Sequence, residues 1–312
     1  MKSSIETISI IGAGALGAVY AAMLYDMNPR CVAFVAGEER AQRLRREGVV
    51  VNGKTYHISV LDPEDLAATA DLVMVAVKYQ HLDDAIRDMK NRVGAETLIL
   101  SVMNGIESEE RIGAVYGMER VLYAVSLGID ALRDENRVIY TTQGKLFIGE
   151  AANPVLTERV KRVQAFFQKA GIVYETPPDM LRILWWKFMI NVGINQASAV
   201  LRAPYGRFQT EREPRELMEA AMREVVRLAG QAGVDLSEAD IGRFDPVLSR
   251  LNPQGMTSML QDVEAGRKTE VEMFAGRVIE LGRRYDIPTP VNQRLFDQIR
   301  KIELTCDKGT DL

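Results

Sequence analysis

The sequence predicts an α/β protein, with a parallel sheet covered by helices in its N-terminal part and an all-α C-terminal part. Three observations carry this. Apolar runs of strand length alternate with helical segments through the first hundred residues. A glycine-rich turn joins the first run to the first helix. From about Pro178 onward the spacing of apolar residues turns helical and strand candidates become few.

The strands come first. Thr7 to Ile11 is a short buried run ending at glycine, and Cys31 to Val35, Leu72 to Val77 and Thr97 to Val102 are the next of that kind. Runs that are apolar at every position need both faces covered, as in a parallel sheet between two helical layers. Ala15 to Tyr25, Arg40 to Glu47 and Leu82 to Met89 are the helices between them. Val49 to Tyr56 reads as a hairpin, because Asn52-Gly53 separates two strand-like runs. In the second part Leu181–Leu201, Glu213–Ala232 and Thr269–Tyr285 have helical spacing. Pro177-Pro178 marks the boundary, giving domains of 1–176 and 177–312. Cys306 to Leu312 reads as a frayed tail.

Composition excludes several classes. The 312 residues suit about two domains, and 47% hydrophobic with 26% charged residues is ordinary globular material. A net charge of −4 marks neither a nucleic-acid binder nor an acidic-membrane binder. Cys31 and Cys306 stand far apart, so neither a disulfide framework nor zinc spacing exists, which fits a reducing cytoplasm. The apolar stretch Ile8 to Tyr25 is not expected to be a leader or a membrane span, because it carries three glycines, runs into Asp26 and Asn28-Pro29, and has only Lys2 as a basic flank. With only His57 and His81 present, histidine metal sites are not expected, and a catalytic acid is sought among lysine, tyrosine and carboxylates.

Gly12-Ala13-Gly14-Ala15-Leu16-Gly17 matches G-x-G-x-x-G between a strand and a helix, the context that gives the pattern meaning. Gly12 allows the tight turn, Gly14 clears the approach of a pyrophosphate, and Gly17 allows close helix packing. The helix N-terminus then meets the phosphates. This makes the first domain a Rossmann-type dinucleotide-binding domain. An NAD site commonly has a carboxylate at the tip of the second strand. Here that strand ends Val35-Ala36-Gly37, and Arg40 and Arg43 follow. Arginine suits a 2′-phosphate, so NADP is favoured, with NAD left open.

Two further strand ends carry polar residues, Lys78-Tyr79-Gln80 and Met103-Asn104-Gly105. Ligands in open α/β sheets lie beyond the carboxyl ends of the strands, so Lys78 and Asn104 are candidates for cofactor contact. In the segment Trp185 to Asn195, the residues Lys187, Asn191 and Asn195 stand four apart and form one polar stripe, with Ser198 on the same stripe. A lysine among aromatic neighbours suits proton transfer near neutrality. Thr257 to Asp262 reads as the close of a helical run before Gly266. Thr269 to Glu272 reads as a capping box, with Glu270 in the first turn, where the helix dipole favours its ionised form.

Taken together, these pieces resemble the ketopantoate reductase (2-dehydropantoate 2-reductase) family. The glycine motif, Val77-Lys78, Asn104-Gly105, Trp186-Lys187 with Asn191 and Asn195, Ser258 to Asp262, Thr269-Glu270 and Pro288-Thr289-Pro290 all match in order along nearly the whole chain. The resemblance implies NADPH-dependent reduction of ketopantoate to pantoate, on the route to pantothenate and coenzyme A. It implies Lys187 as the general acid and Glu270 as the group that holds the substrate hydroxyl. It further implies that Asn191, Asn195 and Ser258 bind substrate, and that Lys78 and Asn104 sit between cofactor and substrate. The active site is then expected between the domains, and a homodimer is a further expectation. This chain departs from the family pattern in having Met103 for a glutamine, Gln196 for a proline, and Ala36 where the family has its NADPH-selecting arginine. Two other readings stand beside it: a related dehydrogenase of another 2-keto or hydroxy acid, and a non-catalytic dinucleotide sensor.

Overall fold

The computed structural model describes residues 4–66 and 68–307, without the side chains of Cys306 and Asp307. The chain divides into two compact units, 1–183 and 184–312. The first contains β1 (Ile8–Ile11), α1 (Ala15–Met27), β2 (Val32–Val35), α2 (Glu38–Glu47), β3 (Val49–Val51), β4 (Lys54–Tyr56), β5 (Ser59–Leu61), β6 (Leu72–Val75), α3 (Leu82–Asp88), β7 (Leu98–Ser101) and α4 (Ser108–Tyr116). It continues with β8 (Val121–Leu127), β9 (Leu132–Asp134), β10 (Arg137–Ile139), β11 (Lys145–Gly149), α5 (Glu158–Lys169) and β12 (Tyr174–Glu175).

Among the described residues one sheet has eight strands in the order β12-β11-β8-β7-β6-β1-β2-β5. Pairing is parallel from β5 through β8, and β11 then runs antiparallel to β8. The chain order reverses between β1 and β6, the switch point where such sheets bind ligands. The continuous apolar strands have the predicted cause. In β6, Leu72 and Met74 join one core while Val73 and Val75 join the other. Helices α1 and α5 contribute to the first core and α3 to the second, so both faces of the sheet are buried. The Asn52-Gly53 hairpin forms, with both turn residues at positive φ, the backbone a two-residue hairpin turn needs.

The structure adds what local patterns did not predict. The hairpin strands belong to a second sheet, β4-β3-β10-β9, of four strands among the described residues. Its other two strands, β10 and β9, come from residues 132–139, a partner far away in sequence. Strand β11 reverses direction because a short link from β8 and the β9–β10 excursion returns the chain alongside β8.

The second unit holds most of α6 (Met180–Leu201), with α7 (Tyr205–Thr210), α8 (Arg212–Gln231), α9 (Glu238–Gly242), α10 (Asp245–Leu248), α11 (Ser258–Glu264), α12 (Arg277–Tyr285) and α13 (Pro290–Asp307). Residues 308–312 of the expected tail lie outside the described residues, while Cys306 and Asp307 close the last helix. Gly193 lets α6 approach α8, since a β-carbon there would stand 2.6 Å from Met222 Cγ and 2.9 Å from the Met218 carbonyl oxygen. The N-terminus of α13 is capped by the buried Glu224, whose carboxylate accepts from the Val291 and Asn292 amides at 2.8 and 3.0 Å.

Candidate active site

The first unit gathers its candidate residues at one edge of the sheet. The glycine turn follows β1, Lys78 lies three residues past β6, and Asn104 lies three past β7. These three strands are adjacent and parallel, so the three loops share the carboxyl edge at the switch point. Lys78 is exposed and precedes a 3-10 turn at Tyr79–His81, while Asn104 is half-buried.

Each glycine of the turn has a distinct steric reason. Gly12 has φ +105°, and a β-carbon there would meet the Ala76 carbonyl oxygen at 2.6 Å. A β-carbon on Gly17 would fall 1.9 Å from the Gly12 carbonyl oxygen, so the helix can close onto its own turn only without one. Gly14 differs: its β-carbon would meet only the Ala76 carbonyl oxygen, at an ordinary 3.6 Å. Protein packing does not require glycine there, so the space is left for something else. Gly14 is also the N-cap of α1, where no side chain caps the first turn and no acid stands in it. The amides around Ala15, Leu16 and Gly17 therefore suit a pyrophosphate, and the cradle Gly12–Gly17 fits a dinucleotide.

At the end of β2, Ala36 is buried, so nothing charged stands at the strand tip. Arg40 lies in the first turn of α2, exposed and with no hydrogen bond or ion pair among the described residues. Arg43 is exposed one turn further on. Burial, then the neighbouring charges of Arg43 and Arg40, hold the Arg133 guanidinium below its ordinary value. Arg133 comes from the second sheet, so three arginines share one neighbourhood. Nothing in the local sequence of residues 130–140 signalled this third cation.

In the second unit, Lys187, Asn191 and Asn195 lie one turn apart along α6, as the spacing predicted. The helix is buried around them: Trp185, Phe188, Met189, Val192 and Ile194 are all core residues. Lys187 and Asn191 are half-buried. Asn195 is 6% exposed, and its amide has no hydrogen bond among the described residues. Ser198 is committed elsewhere, donating to the Ala203 carbonyl at 2.6 Å, so it closes the helix end and does not extend the stripe. Gln196, fully buried, donates to Asn292 Oδ1 at 3.0 Å, and Asn292 donates in turn to Glu224 at 2.8 Å. A proline at 196 has no side chain to make that network, and the departure from the family pattern was its only signal in the sequence.

Ser258 is exposed and opens α11, whose N-cap Thr257 accepts from the Leu260 amide at 3.2 Å. The segment is thus a short complete helix, where the sequence reading had it close a longer run. The expected capping box is corrected as well. The Thr269 amide and hydroxyl both donate to Glu303, at 2.8 and 2.6 Å, and Glu272 accepts from Arg300 at 3.0 Å. Long-range partners took the Thr269 amide and the Glu272 carboxylate, while Thr269 Oγ still accepts locally from the Val271 amide at 3.3 Å. Residues 272–276 form a π turn, closed by Gly276 N–H to the Val271 carbonyl at 3.0 Å, before α12 begins. Such turns often mark functional sites, and Glu270, half-buried, lies directly before this one. Phe274 in the turn packs on Phe188 of α6 with centroids 6.5 Å apart. The ring pair packs the π turn that follows Glu270 against the part of α6 next to Lys187.

The cradle and the switch-point sheet define a dinucleotide-binding oxidoreductase. Family models described as "Ketopantoate reductase PanE/ApbA" and "Ketopantoate reductase PanE/ApbA C terminal" match residues 8–153 and 179–303. The chain belongs to the ketopantoate reductase family, whose members are NAD(P)-dependent oxidoreductases. It is 29% identical over 309 residues to a 2-dehydropantoate 2-reductase of Archaeoglobus fulgidus, covering 96% of this chain and 98% of that one. It is 25% identical over 306 residues to the Aquifex aeolicus protein of the same name, covering 96% and 98%. Among solved structures, a PanE/ApbA family ketopantoate reductase from Ralstonia eutropha aligns with TM-score 0.83 and 26% identity over 96% of this chain and 99% of that one. A D-mandelate dehydrogenase with NADH and anilino(oxo)acetate aligns with TM-score 0.88 at 19% identity, over 96% and 99%, a likeness of fold. Among the described residues, no helix is long and apolar enough to cross a membrane.

Proposed function

We propose that this protein reduces ketopantoate to pantoate with NADPH. The observation that carries the reading is the α6 stripe, above all Asn195. Its amide makes no hydrogen bond among the described residues and is not one of the fully buried unpaired polar groups, so it keeps an opening through which a polar ligand can pair with it. A stripe of Lys187, Asn191 and Asn195 offers an ammonium and two amides to a small anion bearing a carbonyl. Bound reduced nicotinamide supplies the hydride to the keto carbon. Lys187 gives its proton to the carbonyl oxygen, and its charge stabilises the developing alkoxide. Glu270 accepts from the substrate hydroxyl, which fixes the face presented, while Asn191, Asn195 and Ser258 hold the carboxylate and hydroxyl. Gly12 to Gly17 hold the pyrophosphate, Lys78 and Asn104 orient dinucleotide and substrate, and Arg40, with Arg43 beside it, takes the 2′-phosphate. The relatives named 2-dehydropantoate 2-reductase support the substrate. A homodimer is part of the same reading, in line with the dimeric ketopantoate reductase of Staphylococcus aureus, a structural neighbour. So is a cytoplasmic location, on the two separated cysteines.

One observation favours a second reading. Ala36 stands where the family has its arginine, so an NADH-dependent reductase of a plain 2-keto acid is the competitor. The purified protein separates them when NADPH and NADH are each paired with ketopantoate, phenylglyoxylate and pyruvate. The first reading expects kcat/KM for ketopantoate with NADPH to exceed the others by roughly a hundredfold or more, since a site built around a hydroxyl rejects substrates lacking it. Preference for a plain keto acid with NADH overturns it.

A further inference from the structure

Three buried polar side chains in the first unit have no part in the proposed chemistry. Ser101 ends β7 and is fully buried, Ser108 opens α4 at 4% exposure, and Glu109 follows at 2%. Ser101 Oγ donates to Ser108 Oγ at 2.7 Å, and Ser108 Oγ donates to Glu109 Oε2 at 2.9 Å. The Met103 amide donates to Ser101 Oγ at 3.4 Å. An ionised carboxylate only accepts, so both hydroxyl protons must point toward Glu109. That orientation leaves an oxygen lone pair of Ser101 turned back to the Met103 amide. The chain of bonds spans the loop from β7 to α4, which carries Asn104 and the left-handed Gly105. The Met103 amide can only donate, but two serine hydroxyls can pair with each other in either sense, and a buried acceptor at one end selects one of them. The carboxylate itself sits in the first turn of α4, where the helix dipole favours its charge.

We propose that Glu109 is a positioning residue, which acts through Ser108 and Ser101 to hold the Met103-Asn104-Gly105 backbone in the conformation that presents the Asn104 amide. The inference rests on the reading of Asn104 as a ligand to dinucleotide and substrate. Its energetic logic is that of a hydrogen-bond chain polarised by one charged end, where each bond strengthens the next. A misplacement of the loop by a fraction of an ångström acts on turnover more than on folding.

The test uses the full chain in three variants: Ser108→Ala, Glu109→Leu and Glu109→Gln. Amide hydrogen exchange of the peptide covering residues 102–106, the thermal midpoint, and kcat with KM for keto acid are measured together. In Ser108→Ala and Glu109→Leu, exchange of that peptide should rise about fivefold, the loss of one ordinary hydrogen bond. Turnover should fall about tenfold, with KM within a factor of about three, and by more than the fraction unfolded accounts for; the thermal midpoint falls as well, since a buried hydroxyl or carboxylate loses its partner. Glu109→Gln keeps an acceptor oxygen for Ser108 and should restore both exchange and kcat. Wild-type exchange and turnover in Ser108→Ala overturn the proposal, as does a Glu109→Gln protein no better than Glu109→Leu. Activity lost only in proportion to unfolded protein also overturns it. Should the wild type reduce no keto acid at all, the functional reading fails on its own, and the exchange data still decide whether the relay holds the loop.

Discussion

Phe188 and Phe274 stack with their planes tilted by 39° and their centroids 6.5 Å apart, each side chain 1% exposed. Phe188 follows Lys187 in α6, and Phe274 lies four residues past Glu270 in the π turn. The pair joins α6, which carries the proposed acid, to the π turn that follows the proposed substrate anchor. Truncation of either ring should cost about 3–5 kcal/mol, the usual range for a buried phenylalanine. Phe274→Ala should therefore lower the urea midpoint strongly, and raise KM for substrate in the fraction that stays folded. A midpoint within experimental error of the wild type would show that the packing tolerates the hole.

Lys187→Ala removes the proposed proton donor from a helix that is otherwise unchanged. The kcat should fall by about 10²–10⁴, the span of general acid catalysis. Dinucleotide affinity, read by nicotinamide fluorescence, should stay within about twofold, because the glycine cradle is intact. Normal turnover at saturating cofactor would remove Lys187 from the mechanism.

Glu270→Ala should act on substrate binding. Loss of a charge-assisted hydrogen bond of about 1.5–3 kcal/mol corresponds to a rise in KM for ketopantoate of about 10–150-fold. A plain 2-keto acid, lacking the hydroxyl, should show little change with the same variant. If dinucleotide binding disappeared in its place, the role given to Glu270 would be wrong.

Gly14→Ala and Gly17→Ala make a contrasting pair. At Gly17 the new β-carbon meets the Gly12 carbonyl oxygen at 1.9 Å, so the turn must open. Destabilisation of about 1–3 kcal/mol or more is expected, with dinucleotide binding lost. At Gly14 the nearest atom is 3.6 Å away, so the thermal midpoint should hardly move. Affinity for dinucleotide should nevertheless fall, since the methyl occupies the space the cradle keeps open. Equal thermal effects in the two variants would contradict the steric assignment.

Arg40→Ala tests selectivity. Loss of one exposed phosphate contact should reduce the preference for NADPH over NADH by about tenfold, with kcat for either cofactor retained. An unchanged preference would move the 2′-phosphate away from Arg40.

Glu150 gives a pH dependence. Burial raises its pKa, but hydrogen bonds from Arg159 and Thr157 outweigh this and leave the carboxyl below its usual range. A depressed folded value stabilises the protein above the ordinary carboxylate range, and that stabilisation is lost as pH falls through the lowered value. Arg159→Met should therefore flatten the decline of the urea midpoint on acidification. A decline as steep as in the wild type would show that other carboxylates govern acid unfolding.

The parts of this protein that the sequence alone determined are those whose signals are local. Strand, glycine turn and helix follow one another within seventeen residues, and the doubly apolar runs of β1, β6 and β7 announce a sheet buried on both faces. The four-residue spacing of Lys187, Asn191 and Asn195 marks a polar stripe before any packing is known. Tertiary structure alone decided whatever depends on a partner remote in the chain. It set β10 and β9 beside β3, turned β11 antiparallel, and gave Thr269 to Glu303 and Glu272 to Arg300, leaving a π turn where a capping box was expected. It also joined Ser101 to Glu109 through Ser108 and left the Asn195 amide with no hydrogen bond among the described residues. The physical reason is common to all of these. A hydrogen-bonding group accepts whichever partner folding brings within reach, and neighbours in sequence are only the first candidates.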